Sequence, residues 1–262
     1  MNKFIRKDKL CRICDSSDIV TILKLNNTPL EDQFVDESNK HIEQKTYPLE
    51  LAICNHCGYV YLPHVINPEE SYVDYLYKSG ITPGLRSHYD EYAKKIVSKY
   101  NIKKDSLIVD LGSNDGSMLA SFKKQGMNIL GVEPAKLIAE HANQAGVETI
   151  NDFFTDEVVS KILSNYGKAD VISANYMFAN IDNIIQFTKS VESLLSKNGS
   201  TTGVIKEVYC AVPHNEKKPW KVYLKVKSVA WPFDRIKRIE IFKIFDQLLS
   251  EEVTAVNYFH GN

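Results

Sequence analysis

Between residues 85 and 199 the chain switches repeatedly between two hydrophobic periods. Residues 85–100 place Tyr89, Tyr92, Ala93, Ile96 and Val97 at helical spacing, which predicts an amphipathic helix. Residues 106–111 are a short apolar run, Ser-Leu-Ile-Val-Asp-Leu, and predict a buried strand. A helix over 117–125 follows, stopped by Gly126. Residues 128–133 predict a second strand, and Pro134 in a first turn opens a helix through 145. A short third strand over 146–150, a helix over 158–166, a fourth strand over 169–174 and a helix over 182–195 complete the series. Such alternation is the signature of a parallel α/β sheet.

The flanks differ. Residues 1–70 have a strand-and-turn character with little helical periodicity. After residue 199 the polar break Ser200-Thr-Thr-Gly203 leads into residues 203–209, which can supply a fifth strand. Trp220, Val222, Leu224 and Val226 then alternate with Lys221, Tyr223, Lys225 and Lys227, a half-buried strand pattern with a mostly basic outer face. Ile236, Ile239, Phe242, Phe245 and Leu249 recur at helical spacing, with Asp234 as a cap. Three units are expected: 1–70, 71–199, and a segment 200–262 that completes the sheet or forms a small α/β appendage. A length of 262 residues accommodates them.

Composition narrows the function. Apolar content of 44% and charged content of 25% are globular values. A formal charge of −1 gives no electrostatic reason to expect nucleic acid or an anionic membrane as partner. No run approaches the roughly 18 apolar residues of a spanning helix, and the charged start is not followed by an apolar signal core. A cytoplasmic protein is expected. Of five cysteines, four fall in two tight pairs, a distribution that suits metal ligation in a reducing compartment.

Those pairs are Cys11-Arg-Ile-Cys14 and Cys54-Asn-His-Cys57, the second followed by Gly58. A C-x-x-C turn offers two thiolates to one ion, and two turns complete a closed tetrahedral site for structural zinc. A redox pair is the competing reading, but two copies outside a thioredoxin-like unit argue against it. His56 sits within a knuckle as an alternative ligand, and Cys210 stands alone as a small apolar residue.

The second constellation follows the first strand of the alternating region. Asp110 ends that strand, Gly112 and Gly116 allow a tight turn and close backbone approach, and Ser113, Asn114 and Asp115 fill the loop. Glu133 ends the second strand roughly 20 residues on, where an acid can accept hydrogen bonds from ribose hydroxyls. Dinucleotide enzymes favour G-x-G-x-x-G. Here the pattern is Asp-x-Gly-x-x-x-Gly, which lacks the middle glycine that a pyrophosphate demands. A plain strand-to-helix turn competes with the ligand reading, but the loop, the acid and the strand context favour the ligand.

The Asp-x-Gly-x-x-x-Gly loop resembles the first motif of class I methyltransferases. Together with the cysteine pairs, the chain resembles the zinc-containing C-methyltransferases of nucleotide-activated keto-deoxysugars. The matching stretches are the two cysteine pairs, Tyr77-Lys-Ser-Gly80, Val109-Asp-Leu-Gly-Ser-Asn-Asp-Gly116, Leu130-Gly-Val-Glu-Pro-Ala135 and the run from Ala174 to Asp182. The resemblance implies a Rossmann-like S-adenosylmethionine domain behind a small β-rich four-cysteine zinc domain. It implies that the loop backs the methionine part of the donor and that Glu133, followed by Pro134, holds the ribose. Asp152 and Phe153 would lie near the adenine, and Asn175 and Tyr176 would line the methyl-donor pocket. The implied reaction is deprotonation beside a keto group, followed by attack of the enolate carbon on the methyl. The zinc domain and the segment around Tyr72 to His88 would close over donor and sugar. Tyr176 and Asn180 replace the family's Asn and His after strand four, and its Tyr-His-Glu-His segment and second α/β half are not found. Tyr209 and His214 are the nearby groups able to replace the base, although a core tyrosine and a surface histidine is the plainer reading. The alternative function is a non-catalytic or truncated donor-binding relative.

Overall fold

A computed structural model describes residues 5–30, 35–73, 75–175 and 177–196, and the strands Glu207–Ala211 and Lys221–Lys225. The N-terminal part is β-rich, as its pattern predicts. Strands β1 (Ile5–Lys7), β2 (Ile19–Thr28), β3 (Tyr47–Cys54), β4 (Val60–Tyr61) and β5 (His64–Ile66) form two small antiparallel sheets, β2-β3-β4 and β1-β5. Glu50 of β3 is buried and accepts a hydrogen bond from Lys7 of β1 at 2.6 Å, which ties the sheets together. The short helix α1 (Pro68–Tyr72), capped by Asn67, leads out of this region. The expected boundary at residues 70 and 71 therefore falls inside a helix.

A 3-10 turn at Ser79–Ile81 precedes α2 (Leu85–Lys99). The α/β unit then runs β6 (Leu107–Leu111), α3 (Ser117–Lys124), β7 (Asn128–Val132), α4 (Lys136–Gln144), β8 (Thr149–Ile150), α5 (Asp156–Asn165), β9 (Val171–Ser173) and α6 (Ile184–Leu194). Its four strands pair in parallel in the order β8-β7-β6-β9. Every residue of β6 is buried, because strand alternation sends its side chains into two separate cores. Leu107, Val109 and Leu111 pack with Val158, Ile162, Val191 and Leu194 on the α5–α6 side. Ile108 packs with Ala93, Ile96, Leu119 and Phe122 on the α2–α3 side.

This strand order fixes the ligand crevice. The chain moves outward from β6 to β7 and β8, then returns to the other side of β6 for β9. The loops after β6 and β9 leave in opposite directions and open a crevice at their carboxyl ends.

Several boundaries differ from the sequence expectation: the third strand, expected over 146–150, is only Thr149–Ile150, and the helix expected over 158–166 is Asp156–Asn165. The helix expected at Pro134 begins at Lys136; Ala135 is extended (ψ 107°), with its N–H held by the Glu133 carboxylate at 2.9 Å. The fourth strand begins at Val171, and Ala169 instead bridges Leu195. Beyond α6, β10 (Glu207–Ala211) and β11 (Lys221–Lys225) pair antiparallel with each other. Strand β10 runs beside β9 and hydrogen-bonds to β11, and among the described residues the parallel sheet consists of β8-β7-β6-β9. The helix expected around residues 236–249 lies outside the described residues, as does His214. Among the described residues no helix is long and apolar enough to cross a membrane.

Asp110 is the unusual residue of the sheet. Its buried carboxylate accepts a 2.6 Å hydrogen bond from Ser173 of β9. Burial raises its pKa to about 7; the Ser173 hydroxyl opposes the rise and the negative charge of Glu133 adds to it. The unfolded chain releases this proton near 3.8, so folding takes up a proton between about pH 4 and 7 and this group's contribution to stability falls as pH rises through that window. Urea unfolding of wild type and Asp110→Asn at pH 5 and pH 8 will show the wild type losing more stability over that interval. Equal losses contradict the assignment.

Candidate functional site

The loop between β6 and α3 is held from below. The amides of Gly112 and Ser113 both donate to the Val132 carbonyl, at 2.9 and 3.2 Å. Gly112, Asn114 and Gly116 take left-handed backbone angles, with φ of 71°, 51° and 74°. A Cβ on Gly116 would stand 2.6 Å from Val147, and one on Gly112 would stand 3.1 Å from Met177. The glycines thus serve tight packing by protein neighbours as well as turn geometry. Ser113 Oγ is buried against Gly131, without a hydrogen-bond partner among the described residues.

Glu133 stands across the crevice. Its buried carboxylate accepts from the Asn114 amide through Oε2 and from the Ala135 amide through Oε1, both at 2.9 Å. Burial raises its pKa, and these two amides partly offset the rise. Asn151 donates to the carbonyls of Glu133 and Pro134, both at 2.9 Å, and so joins the ends of β7 and β8. Beyond it opens a cleft of about 480 Å³ lined by Pro134, Asn151, Asp152, Phe153, Glu69 and Val73. Asp152 accepts its neighbour's amide, from Phe153, at 2.8 Å. Asn175 leans on the Met118 sulfur at 3.0 Å. Tyr176 lies outside the described residues.

The structure brings the sequence-predicted residues 110–116, 133, 134, 152 and 153 to one edge of the sheet, but two of their side chains turn away from it. Asn114 accepts from the Ser79 amide (2.8 Å) and donates to the Tyr77 carbonyl (2.9 Å). Asp115 accepts from the Gly80 amide at 2.7 Å and from the Ser117 amide at 3.0 Å. Ser173 and Asn151 are absent from the sequence reading as site residues, and Glu69 and Val73 enter it only within the larger segments expected to close over the donor. Their roles depend on contacts between strands and on a helix too short to show a period. Tyr209 lies on β10, which runs beside β9 and the turn at Phe178–Asn180.

The four cysteines meet in the N-terminal part. Cys11 and Cys57 sulfurs are 3.6 Å apart, as are those of Cys14 and Cys54, and all four lie within 4.8 Å of one another. Tetrahedral zinc with Zn–S bonds of about 2.3 Å requires sulfurs about 3.8 Å apart, so the donor set fits. Both knuckles close alike. Asp15 N–H donates to Cys11 O and Gly58 N–H to Cys54 O, at 2.9 and 2.8 Å, with φ of 57° and 75° at Asp15 and Gly58. Burial pushes the Cys11 and Cys57 thiols up. Burial also opposes ionisation of Cys54, but the amides of Cys57 and His56 bring it down to about 7. A cation relieves the burial penalty by pairing with the thiolates. His56 is exposed on the second knuckle.

Two family models match the chain. A family model described as a zinc binding domain matches residues 11–72, and one described as a methyltransferase domain matches residues 85–242. The curated C-methyltransferase NovU of Streptomyces niveus is 29% identical over 199 residues, which cover 76% of this chain and 47% of that protein. The chain spans about half the length of the curated relative it matches. Similar solved structures include the plantazolicin methyltransferase BpumL, in complex with a pentazolic desmethylPZN analog and SAH. It is 19% identical, with a TM-score of 0.38 over 50% of this chain and 48% of that chain. Another is a SAM-dependent methyltransferase from Agrobacterium tumefaciens, 14% identical, with a TM-score of 0.39 over 52% of this chain and 47% of that one. With the matched domain covering more than half of its length, the chain belongs to the methyltransferase-domain family and carries a four-cysteine zinc-binding domain ahead of it.

Proposed function

We propose that this protein is an S-adenosylmethionine-dependent C-methyltransferase acting on a nucleotide-linked keto-deoxysugar. The observation that carries the donor half is the buried Glu133 carboxylate beside the cleft of Pro134, Asn151, Asp152 and Phe153, at the crossover of the sheet. Each Glu133 oxygen accepts one amide and retains a second acceptor site for a ribose hydroxyl. Asp152 and Phe153 line that cleft, which supports a role for Asp152 as acceptor of an exocyclic adenine amine and for Phe153 as apolar wall. When bound, the donor supplies an electrophilic methyl on a positively charged sulfur. Asp110 and Glu133, both raised by burial, favour such a cation, which in turn favours their ionised forms. The amides of Gly112, Ser113, Asn114 and Gly116 are taken by protein acceptors, which leaves them unavailable to cradle a phosphate and fits a donor that carries none.

The acceptor half rests on the family resemblance and on the C-methyltransferase name of the relative from Streptomyces niveus. Carbon methylation beside a keto group needs a base near neutral pKa and stabilisation of the enolate oxygen. Tyr209, on the strand beside β9, is the first candidate for the base and His214 the second. A second reading, a donor-binding relative without its own base, is favoured by Asn180, an amide where the family resemblance expects a His. Cys11, Cys14, Cys54 and Cys57 hold one zinc ion in a closed site whose role is structural.

Solvent deuterium exchange into a nucleotide-linked 4-keto sugar, followed by methyl transfer from labelled donor, tests the activity. Exchange above the protein-free rate and a labelled product are expected. Donor binding without exchange establishes the second reading instead. Metal analysis after chelator-free purification is expected to find about one zinc per chain, and Cys54→Ser is expected to lose it and to melt at lower temperature. Much less than one zinc in the wild type overturns the four-cysteine site.

A further inference from the structure

The segment joining the two parts of the chain does more than connect them. Helix α1 brings Glu69 and Val73 to the same cleft that Pro134, Asn151, Asp152 and Phe153 line from the other side. Val73 is 38% exposed, an apolar side chain left open at the wall of a partly apolar cleft. A few residues on, the chain is fastened. Asn114 binds both the Tyr77 carbonyl and the Ser79 amide, and Asp115 binds the Gly80 amide. A Cβ on Gly80 would stand 2.8 Å from Asp115 Oδ2 and 2.8 Å from Ser117 Oγ, so a larger residue would have to displace these side chains. Three hydrogen bonds from two adjacent loop residues thus fix the position of the connecting segment.

We propose that Glu69 and Val73 form the second wall of the adenosine part of the donor site, and that Asn114 and Asp115 are positioning residues that latch this wall in place. The inference rests on the donor reading given above. Val73 covers the adenine face opposite the Rossmann-like wall, and Glu69 offers a second acceptor to its amine. The latch and the cofactor loop are one structure, because the Asn114 amide is also bound by Glu133. An adenosine seated against Glu133 therefore sits on a loop whose next side chains hold the opposite wall.

Titration calorimetry of the full zinc-loaded chain with SAH, an unreactive probe sharing the donor's adenosine, tests this. Val73→Ala removes two methyl groups from a half-exposed wall and is expected to weaken SAH about five-fold, with the same factor for adenosine alone. Asn114→Ala releases the latch and is expected to weaken SAH about ten-fold. In the Asn114→Ala background, Val73→Ala is expected to add less than about two-fold, because an unlatched wall no longer depends on what it carries. Gly80→Ala displaces the Asp115 side chain and so strains the same latch from the other side, with no substitution in the loop, and is expected to weaken SAH in the same direction as Asn114→Ala. Unchanged zinc content and melting temperature certify Val73→Ala as folded. Val73→Ala at wild-type affinity, or independent multiplication of the two effects, overturns the wall and latch while the donor reading stands. A wild type that binds no SAH overturns the donor reading itself.

Discussion

The Glu133 carboxylate at the end of β7 is the contact on which the site's geometry depends. It is buried, which opposes its charge, and it is satisfied by two backbone amides from different directions. One amide belongs to Asn114 and sets the left-handed turn of the loop. The other belongs to Ala135, the residue before α4, next to Pro134 at the cleft wall. A buried carboxylate without such partners loses several kcal/mol or takes up a proton. The loop and the acid therefore hold each other in place, and neither makes sense alone.

From this contact the organisation spreads outward. Asn114 passes from Glu133 on its backbone side to Tyr77 and Ser79 on its side-chain side. Asp115 continues to Gly80. The connecting segment at residues 77–80 is thereby fastened to the crossover of the parallel sheet, and Arg6 of β1 adds an ion pair to Asp182 at 2.9 Å. On the sheet's other flank Ser173 binds Asp110 and fixes β9 to β6 beneath the same crevice.

Much of this was legible beforehand. The alternation of β6 with α3 and of β7 with α4 follows from local periodicity, because each element buries one face or stripe. The cysteine site follows from spacing, because a C-x-x-C turn is a local structure. The glycines were legible as turn residues, but Val147 and Met177, which crowd them, are distant in sequence. Pro134 reads as a first helical turn, but Ala135 is extended and the helix starts at Lys136, two residues later than the proline signal gives. Asn114 and Asp115 read as cofactor-loop residues because their backbones are there. Their side chains answer to Tyr77, Ser79 and Gly80, and no local pattern reports that pairing. Ser173 and Asn151 were silent because they act between strands. The exposed Val20, Ile22, Leu23 and Leu25 of β2 show the reverse limit, where an apolar strand pattern does not by itself specify burial.

The central claim is that the loop from Asp110 to Gly116 and the acid at 133 hold a methyl donor. Amide hydrogen exchange of the zinc-loaded chain, with and without S-adenosylmethionine, reads that claim segment by segment. Protection is expected at residues 112–116, 133–135 and 151–153, with the distant strands β2 and β3 unchanged. Unaltered exchange at all three segments under millimolar donor, in a folded and zinc-loaded protein, contradicts it.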